Sequence, residues 1–315
     1  MTAAAVVTLG ETMGLLRATS IGSLEHVSDF ALHIGGAESN VAIGVARLGR
    51  PALWMGRVGD DAVGRRVVRE LRGEGVALAL TVDADARTGI MLKETPTAGF
   101  TRVSYYRAMS AGSRLSIADL DLEAIAGAAV LHVTGITPAL SESAADAVDA
   151  AIEAATAARV PVSFDVNHRA TLWGDRDPAP VYRRIAERAQ IVFAGPEEAA
   201  LIVGEAEPEE QVARLAELGP RHAIVKLGGR GCVASLDGQV LAWPALPITT
   251  LDTVGAGDAF VAGYLTALLE GDGPSERLAL ATRCGAFACL GPGDWEALPR
   301  RADLMTLDTA DPVVR

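Results

Sequence analysis

The stretch "LDTVGAGDAF", residues 251–260, places small residues between two aspartates, directly before an apolar run. Apolar residues of "GDAFVAGYLTALL" recur at helical spacing, which predicts a helix that begins near Gly257. The first amide N–H groups of a helix have no intrahelical partner and lie at the positive end of its dipole. Because Gly255, Ala256 and Gly257 carry almost no side chain, an anion can approach these amides, and the pattern indicates a phosphate-binding loop.

Asp258, in the first turn of this helix, admits two interpretations. An aspartate there favours the helix dipole by about 0.3–1 kcal/mol, which would be a purely structural role. In a loop that binds phosphate, however, a carboxylate repels the ligand unless it has a separate task. That task would be to accept the proton of a hydroxyl that attacks a phosphoryl group, while the amides stabilise the transferring oxygens. The residues alone support both interpretations equally.

Composition narrows the class of protein. The chain has 315 residues, half of them hydrophobic, and a formal net charge of -12, which argues against a nucleic-acid partner. Its three cysteines form no CxxC pair, so neither a disulfide framework nor a zinc site is expected. The N-terminus lacks a basic signal region, and no uncharged apolar stretch reaches the roughly 18 residues of a membrane span. We therefore expect a soluble cytoplasmic protein without membrane contact.

Buried apolar runs alternate with helical stretches from about residue 127 onward. The run at 128–136 precedes an alanine-rich helix at 141–160 with Ser141 as its N-cap, and further runs follow at 161–167, 189–195 and 221–229. This alternation predicts an α/β fold with a parallel sheet and helices on both faces. Ligands of such sheets bind at the carboxyl ends of the strands. The polar residues that follow these runs are therefore site candidates: Asn167, Arg169, Glu198, Lys226 and Asp252.

Two segments, about 11–34 and 88–110, break the alternation. They are rich in β-branched and aromatic residues interrupted by turn formers, which predicts extended structure. We expect a small separate sheet that projects from the main domain. No repeat or low-complexity linker divides the chain, so residues 1–315 are treated as a single domain.

Three segments resemble the ribokinase-like (PfkB) sugar kinase family. "DTVGAGDAF" resembles the C-terminal signature, "GGAESNVAIGVARLG" (35–49) resembles the N-terminal signature, and "IVKLGGRGC" (224–232) resembles a strand and loop of the family. The similarity extends from about residue 6 to about residue 304, and two signatures in the correct order are more specific than either alone. The resemblance implies a doubly wound, mainly parallel sheet with a small β-sheet lid, and MgATP-dependent phosphorylation of a sugar hydroxyl.

The resemblance also implies roles for individual residues. Asp258 would be the general base, and the amides of Gly255, Ala256 and Gly257 the anion hole. Residues that would line the ATP site are Asn167, Lys226, Gly228, Gly229 and Gly231. Residues that would hold the sugar are Gly35, Gly36, Ala37 and Asn40. Glu198 would organise Mg²⁺, and a monovalent cation could lie near Asp252.

Several segments resemble one subgroup of the family, the 2-keto-3-deoxygluconate kinases. They are "GGAESNVA", "YYRAMSAGSRLS" (105–116), "FDVNHRATLW" (164–173) and "GDWEALP" (293–299). The substrate of that subgroup is an acid, and Arg107 and Arg169 provide guanidinium groups that could meet its carboxylate, with Tyr105 and Tyr106 as further donors. Asp294 could border the substrate. Alternatively, Arg107 is a surface charge of the lid, Arg169 a helix-start or ATP-phosphate contact, and Asp294 a turn residue.

The sequence departs from the family pattern at three places. Gly195 stands at the Asn position of the Asn-x-x-Glu motif, Gly10-Glu11 replaces Gly-Asp, and Met91 stands where a lid tyrosine often occurs. Substrate preference could therefore have shifted to another sugar acid. Two alternatives stay open: a neutral-sugar kinase, and a non-catalytic sensor, against which the presence of Asp258 counts. Because a lid sheet exposes strand edges, a homodimer through the lid is expected.

Overall fold

The structure is a computed structural model that describes residues 5–97 and 99–308. Its β-strands are, in chain order, β1 (Val6–Leu9), β2 (Met13–Ala18), β3 (Phe30–Gly35), β4 (Ala52–Gly59), β5 (Ala77–Asp83), β6 (Ile90–Thr97), β7 (Phe100–Tyr106), β8 (Val130–Thr134), β9 (Val162–Asp165), β10 (Ile191–Ala194), β11 (His222–Lys226), β12 (Cys232–Leu236) and β13 (Gln239–Trp243). Its α-helices are α1 (Ala37–Arg47), α2 (Ala62–Gly73), α3 (Leu122–Ala126), α4 (Thr137–Leu140), α5 (Glu142–Ala157), α6 (Ala170–Trp173), α7 (Ala179–Ala186), α8 (Pro196–Val203), α9 (Pro208–Glu217), α10 (Ala256–Glu270) and α11 (Pro274–Ala288).

Nine strands form one large sheet in the order β13-β12-β11-β10-β9-β8-β1-β4-β5. All neighbours from β11 to β5 are parallel, whereas β12 and β13 add an antiparallel edge. Successive side chains of a strand point to opposite faces. Accordingly, Val6 and Ile224 belong to one hydrophobic core, and their neighbours Val7 and Val225 belong to the other. Helices therefore cover both faces, which confirms the predicted mainly parallel α/β architecture.

The predicted elements of the second half are present. The alanine-rich stretch forms α5, and the Ser141 hydroxyl accepts a hydrogen bond from the Ala144 N–H, so Ser141 is the N-cap. The predicted runs form β8, β9, β10 and β11. The antiparallel edge formed by β12 and β13 had no counterpart in the sequence-based prediction.

The two segments outside the alternation form the small separate sheet. Strands β2 and β3 come from the first segment, β6 and β7 from the second, and the order is β3-β2-β6-β7. Met13, Leu15 and Met91 form an apolar cluster on its inner face. The division of the chain into a single domain stays a prediction.

Within the described ranges 5–97 and 99–308, no helix is both long enough and apolar enough to cross a membrane.

Candidate active site

A cavity of about 870 Å³ lies between the small sheet and the ends of the parallel strands. The small sheet contributes Met13, Leu15 and Met91, while Asp165 and Lys226 are the last residues of β9 and β11. Predicted site residues that line this cavity are Gly36, Ala37, Asn40, Tyr105, Arg107, Asn167, Arg169, Glu198, Lys226, Gly255, Gly257, Asp258 and Asp294. The cavity is thus at the strand ends, where an open parallel sheet binds its ligands.

A smaller cavity of about 330 Å³ adjoins the first, and Lys226, Thr253 and Gly257 line both. Its remaining lining includes apolar side chains such as Leu246, Ile248 and Phe260. Of the predicted site residues, Gly228, Gly229, Gly231 and Ala256 lie here as well. Gly35 lines neither of these two cavities; it ends β3 behind Met91 and Asp294.

The N-terminus of α10 lies where the two cavities meet. Gly255 has a left-handed φ of 78°, and a Cβ atom on it would lie 1.9 Å from the Asp294 carbonyl oxygen, so only glycine fits. The Ala256 N–H donates weakly to the Thr253 carbonyl at 3.3 Å. No side chain caps the helix within the described part of the chain. The first turn is therefore open to an anion. The helix begins at Ala256, one residue before the predicted start at Gly257.

Asp258 lies in this first turn with 8% of its surface exposed. The Asn40 amide donates a 2.8 Å hydrogen bond to Asp258 Oδ2. Burial raises the pKa of Asp258 to about 7; the Asn40 hydrogen bond opposes this shift and the Asp165 charge adds to it. A carboxyl group with a pKa near neutrality can accept a proton from a bound hydroxyl at physiological pH.

Lys226 and Asp165 form an ion pair in the cavity wall. The Lys226 ammonium donates to both Asp165 oxygens, at 2.8 and 2.7 Å. Asn167, two residues beyond β9, is buried and has a left-handed φ of 41°. Arg169 is exposed, and its guanidinium donates to the neighbouring His168 carbonyl at 3.0 Å. Strand β9 and the residues after it thus present both charge signs to the cavity.

Glu198 holds two backbone segments together. Its oxygens accept from the Gly195 N–H at 2.6 Å and from the His168 N–H at 2.8 Å. Gly195 is the N-cap of α8 and cannot offer a side-chain ligand. In residues 5–97 and 99–308 no group of three or more His, Cys, Asp or Glu side chains could by itself hold a metal ion.

Arg107 is buried and already paired. Its Nε donates to Glu11 Oε2 at 2.7 Å, and its Nη2 forms an ion pair with the same oxygen at 2.6 Å. The guanidinium also lies over the Tyr105 ring. The Ser110 hydroxyl donates to the other Glu11 oxygen. Arg107 therefore faces the cavity with a charge that Glu11 largely compensates, and it is not a lid-surface charge.

Several cavity residues were not among the candidates. Glu11, Lys93 and Asp165 line the cavity, and Glu38 lies in its wall with hydrogen bonds from Thr134 and Thr137, both at 2.7 Å. Asp165 could have been found, because it ends a predicted strand beside Asn167. Lys93 could have been found as one of only two lysines in the sequence.

Residues 3–301 match the pfkB family of carbohydrate kinases. A 2-dehydro-3-deoxygluconokinase from Thermoproteus tenax is 38% identical over 302 residues, which cover 93% of this chain and 91% of the relative. A fructokinase from Klebsiella pneumoniae is 39% identical over 280 residues, which cover 86% and 90%.

Two solved structures extend the comparison. A PfkB protein from Polaromonas sp. JS666 superposes with a TM-score of 0.87 at 36% identity, covering 96% of this chain and 99% of its own. A double mutant of fructokinase from Vibrio cholerae O395, solved with fructose, ADP and potassium ion, gives 0.83 at 26% identity, covering 96% and 98%. The chain belongs to the pfkB family of carbohydrate kinases, and the predicted enzyme class is confirmed.

Proposed function

We propose that this kinase transfers the γ-phosphoryl group of ATP to the 6-hydroxyl of 2-keto-3-deoxygluconate. The observation that carries the proposal is one cavity that combines Asp258, the open first turn of α10 and two guanidinium groups, Arg107 and Arg169. The first two features supply phosphoryl transfer, and the guanidinium groups supply recognition of an acid. The similarity to the Thermoproteus tenax enzyme supports the same substrate.

Asp258 would act as the general base. Its carboxylate accepts the proton of the attacking hydroxyl as that oxygen bonds to the γ-phosphorus, and the bond to the β,γ-bridging oxygen breaks. The amides of Gly255, Ala256 and Gly257 face the charge on the transferring oxygens. Asn40 holds the Asp258 carboxylate in place through its 2.8 Å hydrogen bond.

The nucleotide would span both cavities. Adenine suits the smaller, more apolar cavity beside Phe260, and the phosphates would pass Lys226 toward α10. Magnesium in kinases is held mostly by substrate phosphates and water with one or two carboxylates, and this requirement fits the residues present. Glu198 and Asn167 would hold it through its water shell, since each Glu198 oxygen accepts only one backbone hydrogen bond.

Arg169 would be the principal carboxylate contact of the acid. It is exposed at the cavity, whereas Arg107 is engaged by Glu11 and would contribute its remaining N–H groups and orient Tyr105. The small sheet would act as a lid, because its inner face forms one wall of the cavity.

The test is a comparison of substrates in wild type and Arg169→Ala. ADP release is followed with 2-keto-3-deoxygluconate, its galactonate epimer, fructose and ribose. We expect the wild type to prefer the keto acids and Arg169→Ala to raise their KM by about tenfold or more, the size of a charge-assisted hydrogen bond. The KM for fructose should not change, and Arg69→Ala, an exposed arginine on α2, serves as the control.

A neutral-sugar kinase is the second candidate. The Klebsiella pneumoniae fructokinase is as similar in identity as the keto-acid kinase, and the Arg107 charge is already compensated by Glu11. Preference for fructose, with KM values indifferent to Arg169→Ala, would establish this alternative. Absence of turnover on every sugar would favour the non-catalytic sensor.

A further inference from the structure

Lys93 is a buried lysine that the proposed chemistry does not use. It lies on β6 of the small sheet, and only 3% of its surface is exposed. Its ammonium contacts Asp252 Oδ2 at 2.7 Å and Asp294 Oδ1 at 3.5 Å. Lys93 and Lys226 are the only lysines in a sequence with 28 Lys and Arg residues. A compact ammonium, and not the planar guanidinium used almost everywhere else, thus stands between these two carboxylates.

Asp252 and Asp294 belong to the two segments that shape the start of α10. Asp252 Oδ1 accepts from the Val254 N–H at 3.1 Å and so fixes the turn that leads into Gly255. Gly255 in turn packs against the Asp294 backbone, since a Cβ atom there would lie 1.9 Å from its carbonyl oxygen. The Lys93 charge therefore holds together the two segments on which the geometry of the amides depends.

Two carboxylates this close repel each other unless a cation lies between them. The structure of the Vibrio cholerae fructokinase contains a potassium ion. From the sequence of this chain, we expected that a monovalent cation could lie near Asp252. In this chain both Asp252 oxygens already have donors, Lys93 and Val254. A second cation on the same oxygen would be repelled by the ammonium, so a metal ion does not fit there.

We propose that the Lys93 ammonium takes the place of a monovalent metal cation at Asp252, so that phosphoryl transfer by this chain needs no added potassium. The proposal rests on the proposed kinase function but not on which sugar is the substrate. Lys93 is a positioning residue: it acts through Asp252 and Asp294 on the first turn of α10.

A salt series tests the proposal. ADP release is measured at constant ionic strength while choline is replaced by potassium, ammonium or sodium, with whichever sugar the enzyme phosphorylates. The wild-type rate should change by less than about twofold across the series, because the Lys93 ammonium, which is part of the chain, already provides the positive charge beside Asp252. Lys93→Met, which keeps the side-chain length and removes the charge, should lose at least about tenfold in kcat in choline. Potassium or ammonium should restore a large part of that loss.

Two further variants separate charge from structure. Lys93→Arg keeps the charge and should stay insensitive to the choice of cation. Arg17→Met is the matched control, because Arg17 lies opposite Lys93 in the pairing of β2 with β6. Lys93, and not Arg17, forms the ion pairs with Asp252 and Asp294 in the described part of the chain. Arg17→Met removes a neighbouring positive charge only, so its rate should not respond to potassium either.

A readout independent of activity accompanies the kinetics. Potassium should raise the melting temperature of Lys93→Met relative to choline, since a cation bound only by the folded state stabilises it, and should leave that of the wild type unchanged. With ¹⁵N-lysine labelling, the two side-chain ammonium signals expected from Lys93 and Lys226 should keep their positions in either salt.

Two results would overturn the proposal. One is a wild-type rate that rises more than about fivefold with potassium, because a supplied ammonium leaves no such dependence. The other is a Lys93→Met protein that shows no potassium-specific recovery in rate or in melting temperature. If Lys93→Met fails to fold, the wild-type salt series still decides. If no sugar is phosphorylated, the kinase proposal fails, while the melting temperatures and the ammonium signals still test Lys93.

Discussion

Folding and catalysis favour different protonation states of Asp258. Burial raises its pKa to about 7 from the ordinary value of 3.8, so the folded state holds a proton that the unfolded state releases between these values. Within that interval the folded state binds more protons, and the stability contributed by this group therefore falls as pH rises. The charged form that catalysis needs is the form that burial disfavours.

Asp258→Asn should abolish activity and stabilise the fold. We expect kcat to fall by at least about a hundredfold, and the free energy of unfolding at pH 8 to rise by about 1 kcal/mol or more, because the buried charge is removed. ADP release and urea denaturation measure the two effects. Asp146→Asn, an exposed aspartate on α5, should change neither. Retained activity, or unchanged stability at pH 8, would contradict the assignment.

Asn40 should set the pH dependence of the reaction. Its hydrogen bond favours the charged form of Asp258 and so lowers the pKa of that carboxyl. The wild-type kcat/KM should rise with pH through about 7, the value for Asp258, and Asn40→Ala should move that rise to higher pH. The pH–rate profile measures it, with the neighbouring Ser39→Ala as control. A profile that Asn40→Ala does not move would exclude Asp258 as the titrating group.

At the scale of elements, the two glycines at the ends of α10 differ in how strongly the surrounding backbone excludes a side chain. Both ends of this helix have a left-handed glycine, Gly255 with φ 78° and Gly271 with φ 82°, but only Gly255 has backbone atoms in the way of a Cβ. Gly271→Ala should cost about 1–2 kcal/mol of unfolding free energy from backbone strain, and Gly255→Ala at least about 2 kcal/mol more. Urea denaturation of both variants measures the difference. Equal costs would contradict the tight contact between Gly255 and Asp294.

The elements also show what the sequence could predict. Helix α10 was predictable because its apolar residues recur at helical spacing, and strands β8 to β11 were predictable because each is a short buried apolar run. Helix α1 was not predicted from spacing: its polar residues Glu38, Ser39 and Asn40 are buried, so they do not mark a solvent-exposed face. The pairs Arg107–Glu11 and Lys93–Asp252 depend on contacts between residues 96 and 159 positions apart, which one sequence does not reveal.

At the scale of the whole molecule, the outer face of the small sheet is largely apolar. Helix α2 packs against it at Gly14 through Val63, and apolar side chains further along the face are exposed. Tyr106 was expected as a donor to the substrate, but it lies on this outer face, 65% exposed, and does not line the larger cavity. Phe30 is 37% exposed on the same face, and the half-buried Leu16, Leu32 and Leu92 lie between the two aromatic residues. An apolar face of this kind on a small sheet with two open edges suits a second copy of the chain. The expected homodimer through the small sheet stays a prediction.

Sedimentation at micromolar protein should give twice the chain mass of 32.6 kDa. Tyr106→Glu should shift the protein to monomer, because a charge would be buried in the interface. Met305→Glu, at an exposed methionine far along the chain, should not. A monomeric wild type at this concentration would contradict the dimer.

Whether this kinase acts on a sugar acid can be tested by a competition experiment. Equal concentrations of 2-keto-3-deoxygluconate and fructose are incubated with MgATP and the wild-type enzyme, and the phosphorylated products are identified by mass. We expect the phosphorylated keto acid to form first and in excess, and Asp258→Asn to form neither product. Fructose phosphate as the main product would contradict a sugar-acid substrate and would leave the fold and the family unchanged.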